Sequence, residues 1–514
     1  MQCVSRLHNT LHSFFNHREI NAIITSLLIF VSFYIAIVTL FGENFLQPLA
    51  DHSHAFADGD DVTIRSIFIV FLLLFFSLIA SKLAKLIWLP PLFGSLLLGI
   101  FIRNVAPFDN FFFIPPYWDT ILRKLAFVTI VIRWGLAIDL KFIYENAVLP
   151  ATLGLVSCFG EIVAITLASF FILNISFVMA IFCGLILALV SPAVTVPTMI
   201  KFRDENMGII KRIPDNVLAT CCIDNVFGVI VFMILSSIIF TNAPVATTIL
   251  LNAGTIVFGM IGGIVLGLLL WRFPRSDAPH TQFSRIALIG AASISLVVGT
   301  FFIKYACSGL IASLILGAMC SMRWSADNEN KLMCVESSYK FIWDIFAQPI
   351  LFVLLGMKFD CSNLTWEIVF LCLGVIAIGL LIRIILSMLI TLSTQLNFKE
   401  QIVVSLSLLP RATLQAELGP TLVLLTSTIP EYAGDANLIL KVCILSVLVT
   451  APIFDLLLSF AGSKLLTVDM PEAITRSDKS YMNGDQIDAT IENIYTSRPK
   501  SNFEYRSETV IERY

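Results

Sequence analysis

The sequence predicts an all-α polytopic membrane protein with about 14 transmembrane helices. Three observations lead there. First, 57% of the 514 residues are hydrophobic and only 13% charged, with 42 phenylalanines, whereas a soluble domain is about 45–50% apolar and about 25% charged. Second, apolar runs near the roughly 20 residues that a bilayer-crossing helix needs follow one another along most of the chain. Third, if Met1 is cytoplasmic, roughly 16 basic loop residues fall on the cytoplasmic side. Only Arg103, Lys304 and Lys358 fall opposite, with the acidic Asp51, Asp58, Asp60, Asp61, Glu431 and Asp435. That bias obeys the positive-inside rule and places both termini in the cytoplasm. A net charge of −3 gives no electrostatic footprint for nucleic acid. A β-barrel would show short alternating segments instead.

The elements follow in order. Residues 1–19 form a cytoplasmic segment, and the run 20–41 lacks a small-residue cleavage site, so it reads as a retained anchor. Spans are expected at 64–88, at the short 91–104, and at 121–139 and 147–173. The sixth, 177–200, carries an internal breaker, and the seventh is 214–240. The eighth, 245–271, holds Gly259, Gly263 and Gly267 at a spacing of four, a ridge that lets another helix approach closely. Then come 284–304, 307–322, 340–358 and 367–394, the interrupted 400–427, and 437–460. The transmembrane domain thus spans 20–462, and the polar 463–514 reads as a disordered cytoplasmic tail. The 11 cysteines lie scattered without metal-ligand spacing and read as packing residues. The sequons at Asn174 and Asn363 lie close to the membrane.

A charged side chain at mid-bilayer costs about 2.5–3.5 kcal/mol on insertion scales, so each one needs a partner, a wet cavity or an interface. The candidates are Arg133, Glu161, Asp224, Arg383, Arg411, Glu417 and Asp455. Asp224 falls near the middle of the seventh span beside Asn225, which adds a neutral carbonyl oxygen. A carboxylate removed from water can hold a proton or a small cation in turn, the minimum chemistry for exchanging one against the other; a structural ion pair with an arginine is the alternative. Glu161 and Arg383 are expensive alone and cheap together, which makes an interhelical ion pair the simplest reading. Arg133 can snorkel and Asp455 lies near an interface, so both read as structural.

Two spans contain breaks. The sixth holds Ser191-Pro192-Ala193-Val194-Thr195-Val196-Pro197, and the thirteenth holds Leu409-Pro410-Arg411-Ala412-Thr413, followed by Glu417, Gly419 and Pro420. Prolines remove backbone donors, and non-helical backbone at membrane depth is tolerated only inside protein or along a cavity. Breaks in corresponding positions of two halves point to a transporter binding site. Lying an odd number of spans apart, they have the opposite orientation that inverted repeats produce.

Several strings, in order, make the chain resemble a known family. They are Leu122-Arg123-Lys124-Leu125-Ala126, Ile132-Arg133-Trp134-Gly135-Leu136, Ser191-Pro192-Ala193, Ile342-Trp343-Asp344-Ile345-Phe346, Leu381-Ile382-Arg383-Ile384, Pro410-Arg411-Ala412-Thr413-Leu414-Gln415-Ala416 and Leu445-Ser446-Val447-Leu448-Val449-Thr450-Ala451-Pro452. Over about residues 63–465 the chain is similar to the cation/proton antiporter superfamily, in its sodium/hydrogen exchanger 9B (NHA-type sodium/proton antiporter) subfamily. The resemblance implies the Na+/H+ antiporter fold and a homodimer. It also implies a dimerisation part and a mobile core that works by alternating access, with the sixth and thirteenth spans crossing beside a pair of acids. That pair falls on Asp224 and Asn225, and Glu161–Arg383 matches a family ion pair. The chain departs from the pattern in three places. The usual second aspartate is Asn225, Arg411 stands where lysine is usual, and Glu417 is an extra acid.

The leading expectation is a monovalent cation/proton antiporter that exchanges Na+ or Li+ for H+, electroneutrally, with Asp224, Asn225 and Thr195 as ion ligands. Ser191, Pro192, Pro197, Pro410 and Arg411 would form the breaks, Glu161–Arg383 the structural pair, and Glu417 a possible auxiliary acid. One alternative is a proton-coupled anion carrier, for chloride, drawn by unneutralised Arg383 and Arg411. Another is a transport-inactive paralogue acting as a membrane partner, which an ordered Asp224–arginine pair would favour. No phosphate loop, nucleophile elbow or metal cluster suggests an enzyme, and no cofactor is expected.

Overall fold

The computed structural model describes residues 59–468, except 139, 241–243, 273–280, 303–305, 328, 363 and 428. The expected first span, the N-terminal segment, the Asn363 sequon and the tail beyond residue 468 lie outside the described residues. Sixteen principal helices follow one another: α1 (Gly59–Leu86), α2 (Pro91–Asn104), α3 (Pro116–Ala137), α4 (Val148–Ile172), α5 (Phe177–Ala188), α6 (Pro192–Asp204), α7 (Ile213–Phe240) and α8 (Val245–Arg272). After them come α9 (Thr281–Phe302), α10 (Ala306–Asp327), α11 (Glu329–Ile342), α12 (Gln348–Gly356), α13 (Trp366–Thr391), α14 (Phe398–Ser407), α15 (Thr413–Thr426) and α16 (Pro430–Leu465). Ala106–Phe111 and Leu140–Glu145 add a short helix each.

Each expected span within the described residues is helical, and ten stretches are long and apolar enough to cross a membrane. Three expected spans fall short of that measure for separate reasons. α2 has only 14 residues, the thirteenth span is divided between α14 and α15, and α3 carries Asp119, Arg123, Lys124 and Arg133 along its 22 residues. The last helix runs past the expected boundary at 462. Leu466 is buried beyond its end, and Val468 pairs with Met207 in an isolated antiparallel bridge.

The helices pack into two groups. α4–α7 and α13–α16 form one, and within it each half has a long helix, a helix pair divided by a break, and a second long helix. α1–α3 and α8–α12 form the other. Glycines set the close approaches. A Cβ on Gly263 of α8 would lie 2.6 Å from the Ala312 carbonyl oxygen of α10, and one on Gly267 would lie 2.8 Å from the Met319 sulfur. The ridge read from the sequence is therefore the α8–α10 seam. Gly135 of α3 meets Gly317 of α10 almost backbone to backbone, with 2.9 Å between a Gly135 Cβ and the Gly317 Cα.

Two π-helical turns interrupt the ladders, at Thr152–Val156 within α4 and at Trp343–Ala347 between α11 and α12. Such turns widen a helix by one residue and recur at functional sites. The first lays Gly154 against α7, where an added Cβ would stand 3.1 Å from the Thr220 carbonyl oxygen and 3.2 Å from the Asp224 nitrogen.

Candidate ion site at the helix crossing

The two breaks meet. After α5 ends at Ala188, Leu189 and Ser191 are extended (ψ 129° and 114°), and α6 starts at Pro192, whose missing N–H is no loss at a first helical position. The other break runs from Leu408 to Ala412, between α14 and α15. Across the crossing, the Ser191 N–H donates to the Pro410 carbonyl at 2.7 Å, and the Ser191 and Thr413 hydroxyls lie 3.2 Å apart. Residues Leu189–Ser191 and Leu408–Ala412 are all buried, so the free peptide groups must be satisfied by protein.

Polar side chains do this, Gln415 and Thr195 from the opposite half and the others from the same one. Gln415 Nε2 donates to the carbonyls of Ile186 (2.8 Å) and Leu189 (2.9 Å), capping the end of α5. Thr195 Oγ1 donates to the Ser407 carbonyl at 2.9 Å, and Arg411 Nη1 to the Leu408 carbonyl at 3.0 Å, capping α14. Thr450 Oγ1 of α16 accepts the Arg411 N–H at 3.0 Å. The N–H of Val190 donates to Asp224 Oδ2 at 3.3 Å. One peptide group, Leu189–Val190, is thus held by Gln415 at its carbonyl and by Asp224 at its N–H.

Four buried charges surround this knot. Arg383 Nη2 donates to Asp224 Oδ2 at 3.0 Å. Arg411 Nη2 donates to both oxygens of Glu161, at 2.6 and 2.7 Å. The expected Glu161–Arg383 contact is present but longer, 3.4 Å. It is one edge of an Asp224–Arg383–Glu161–Arg411 chain, and Glu161 takes Arg411 as its nearer partner. All four are at most 1% exposed. Two carboxylates against two guanidiniums leave the chain neutral, so the premise of an anion carrier, unneutralised arginines, fails.

Some polar atoms at and beside this knot stay unbonded. Asp224 Oδ1 and both amide atoms of Asn225 are buried without an N–H or O–H partner, and the Cys158 thiol of α4 lies beside the Asp224 carboxylate. An orphaned buried oxygen costs about 1–3 kcal/mol unless something fills it, and Asp224 Oδ1 and Asn225 Oδ1, on successive residues of α7, are oxygens of the kind a hard monovalent cation takes. Thr195 lies on the same break, one turn into α6 from Ser191, with its hydroxyl hydrogen committed to Ser407.

Glu417 is elsewhere. It pairs with Lys124 Nζ of α3, lies 4.0 Å from Arg123 Nη1, and accepts from Thr421 Oγ1 at 3.5 Å. It therefore does not stand in for the missing second acid beside Asp224. Pro197 and Pro420 lie inside α6 and α15. Arg133 sits over the Trp343 ring at 5.8 Å, and Asp455 is half-buried on α16. Among the described residues no group of three or more metal-ligating side chains occurs.

A bundle with two broken helices crossing at a buried, charge-balanced knot defines the class of secondary transporters built from inverted repeats. The comparisons with known proteins specify it further. The family described as "Sodium/hydrogen exchanger, transmembrane" matches residues 67–461. Sodium/hydrogen exchanger 9B1 of Homo sapiens is 31% identical over 410 residues, covering 78% of this chain and 78% of its own. Sodium/hydrogen exchanger 9B2 of Xenopus tropicalis is 31% identical over 421 residues, 80% of this chain and 77% of its own. The sodium proton antiporter MjNhaP1 of Methanocaldococcus jannaschii superposes with a TM-score of 0.61 at 16% identity, covering 79% of this chain and 99% of that one, a likeness of fold. The chain is a multi-pass membrane protein and belongs to the sodium/hydrogen exchanger family, in its 9B subfamily.

Proposed function

We propose that the protein exchanges a monovalent cation, Na+ or Li+, for a proton, one for one, at Asp224. The observation that carries this reading is the buried, unbonded Asp224 Oδ1 beside the crossed breaks, where Asp224 Oδ2 accepts the Val190 N–H, followed in sequence by the unbonded amide of Asn225. Asp224, Glu161, Arg383 and Arg411 sum to zero charge. A proton on Asp224 or a cation beside it brings the group to the same +1, so swapping one for the other moves no net charge. Arg383 balances Asp224 when neither is bound and must yield part of its hold when a cation enters. Asn225 supplies a dipole in place of a second charge, which supports electroneutral exchange. Alternating access, with α4–α7 and α13–α16 as the moving core, cytoplasmic termini and a homodimer are the further parts of this reading; the last two rest on loop charge and on the resemblance.

The test is proton flux in proteoliposomes after a step of Na+, Li+ or K+. Wild type is expected to respond to Na+ or Li+ and Asp224→Asn to be silent; an unchanged response in Asp224→Asn would refute Asp224 as the carrier. A second reading has its own observation. The ordered Asp224–Arg383 bond at 3.0 Å is the feature that favours a transport-inactive paralogue with a partner role, and silence of the wild type in the same assay would favour it.

A further inference from the structure

Outside the crossing, a second set of buried charges joins the two helix groups. Asp119, Arg123 and Lys124 project from the first half of α3, and Glu417 from α15 in the other group. Arg123 Nη2 donates to Asp119 Oδ2 at 3.1 Å, and Lys358 Nζ, just beyond α12, reaches the same oxygen at 3.2 Å. Lys124 bonds Glu417 and lies 4.4 Å from the centre of the Phe301 ring. Lys124 is 4% exposed and Glu417 1%, while the Lys358 side chain is 39% exposed. The charges therefore form a ladder from one surface of the protein down to α15, crossing the junction between the groups at Glu417.

The other end of the same junction is built differently. The last turn of α3 (Trp134, Ala137), Val196 of α6 and Cys221 and Cys222 of α7 line a cavity of about 30 Å3, room for a couple of water molecules. Ten residues of α3, about 15 Å at 1.5 Å per residue, separate Lys124 from Trp134. One end of the junction is closed by buried ion pairs, whereas the other holds this cavity, whose rim carries the looser and more exposed Arg203–Asp215 pair at 4.0 Å, and the hollow reaches α7 within one turn of Asp224.

We propose that Glu417, Lys124 and Arg123 form a latch that shuts the junction at the Lys358 end, and that Glu417 leaves Lys124 when the transporter opens there. The inference rests on the alternating-access part of the proposed function. Glu417 belongs to one group and its cationic partners to the other, so no relative movement that admits water between α3 and α15 can keep the pair. Breaking a buried pair strands both charges, which makes closure the stable state at this end until water or a competing charge reaches them.

Hydrogen–deuterium exchange of the full chain in lipid nanodiscs tests the latch without requiring transport. In Glu417→Gln, exchange is expected to rise several-fold in peptides covering residues 116–125 and 413–426 and to slow in those lining the cavity, 192–204 and 213–222. The charge exchange Lys124→Glu with Glu417→Lys is expected to restore the wild-type pattern. An unchanged pattern in Glu417→Gln would overturn the proposal. So would a rise spread equally over α4 and α13, which marks a merely structural pair, or a charge exchange that restores nothing. Absence of cation-driven flux in wild type would strike the exchange reading alone, because this response is read from the backbone.

Discussion

Arg383 touches carboxylates on two helices, Asp224 on α7 and Glu161 on α4, so replacing it strands a buried charge. Arg383→Met is expected to cost about 3–5 kcal/mol, read as a fall in the thermal unfolding midpoint of the solubilised protein. Adding Asp224→Asn to the same chain should recover part of that loss. Gln415 has no charge, yet it caps two carbonyls of α5. Gln415→Leu is expected to cost about 1–3 kcal/mol by leaving them unsatisfied, checked in the same melting assay. These two residues show what the sequence disclosed at this scale. Charges in apolar runs announce themselves by their cost, so Asp224, Glu161, Arg383, Arg411 and Glu417 stand out without a structure. Their pairing does not, because it depends on which helices touch; Glu161 takes Arg411 as its nearer partner and Glu417 takes Lys124. Gln415 gave no such signal, since a neutral amide is cheap until its surroundings are known. Arg123 and Lys124 entered only as part of a family-like string and not among the buried charges, because their span was expected to begin at 121, which put them at the membrane surface. The helix begins at Pro116, and both lie inside it.

Individual helices carry the next set of consequences. The prolines that open α6 and interrupt the thirteenth span were readable as breaks, and their odd separation in span number was readable as opposed orientation. The hydrogen bonds that knit the breaks, Ser191 to Pro410 and Thr195 to Ser407, needed the tertiary fold. The π-turn in α4 was invisible, as nothing in Thr152–Val156 distinguishes it from an ordinary turn. Its glycine is a sharp test. Gly154→Val would press on the α7 backbone at Asp224, and the expected outcome is loss of cation-driven flux in a protein that still assembles, checked by flux alongside size-exclusion behaviour. The α8–α10 seam gives a stability test of the opposite kind. Gly263→Leu drives bulk into the Ala312 backbone and is expected to cost about 1–3 kcal/mol by thermal melting, while leaving the Asp224 site untouched.

Across the whole molecule, two helix groups meet along a junction that holds ion pairs at one end and a cavity at the other, with the crossed breaks beside it in one group. Composition and loop charge were enough to predict a many-helix membrane protein, because burial in lipid constrains every residue of a span. The division into groups was not readable from composition or periodicity, which report that a helix is apolar but not which neighbour it faces. In the proposed exchange the neutral Asp224–Arg383–Glu161–Arg411 chain would link this architecture to function, since a site that starts at zero charge and carries +1 with either cargo moves no net charge. The direct measurement is Na+-driven proton flux in proteoliposomes clamped at different membrane potentials, comparing wild type with Asn225→Asp. The account predicts a wild-type flux that does not change with potential, and a flux in Asn225→Asp that does, because a second carboxylate can carry a second proton against the one cation and net charge then moves in each cycle. A voltage-dependent wild-type flux, or a silent wild type with flux appearing only in Asn225→Asp, would contradict it.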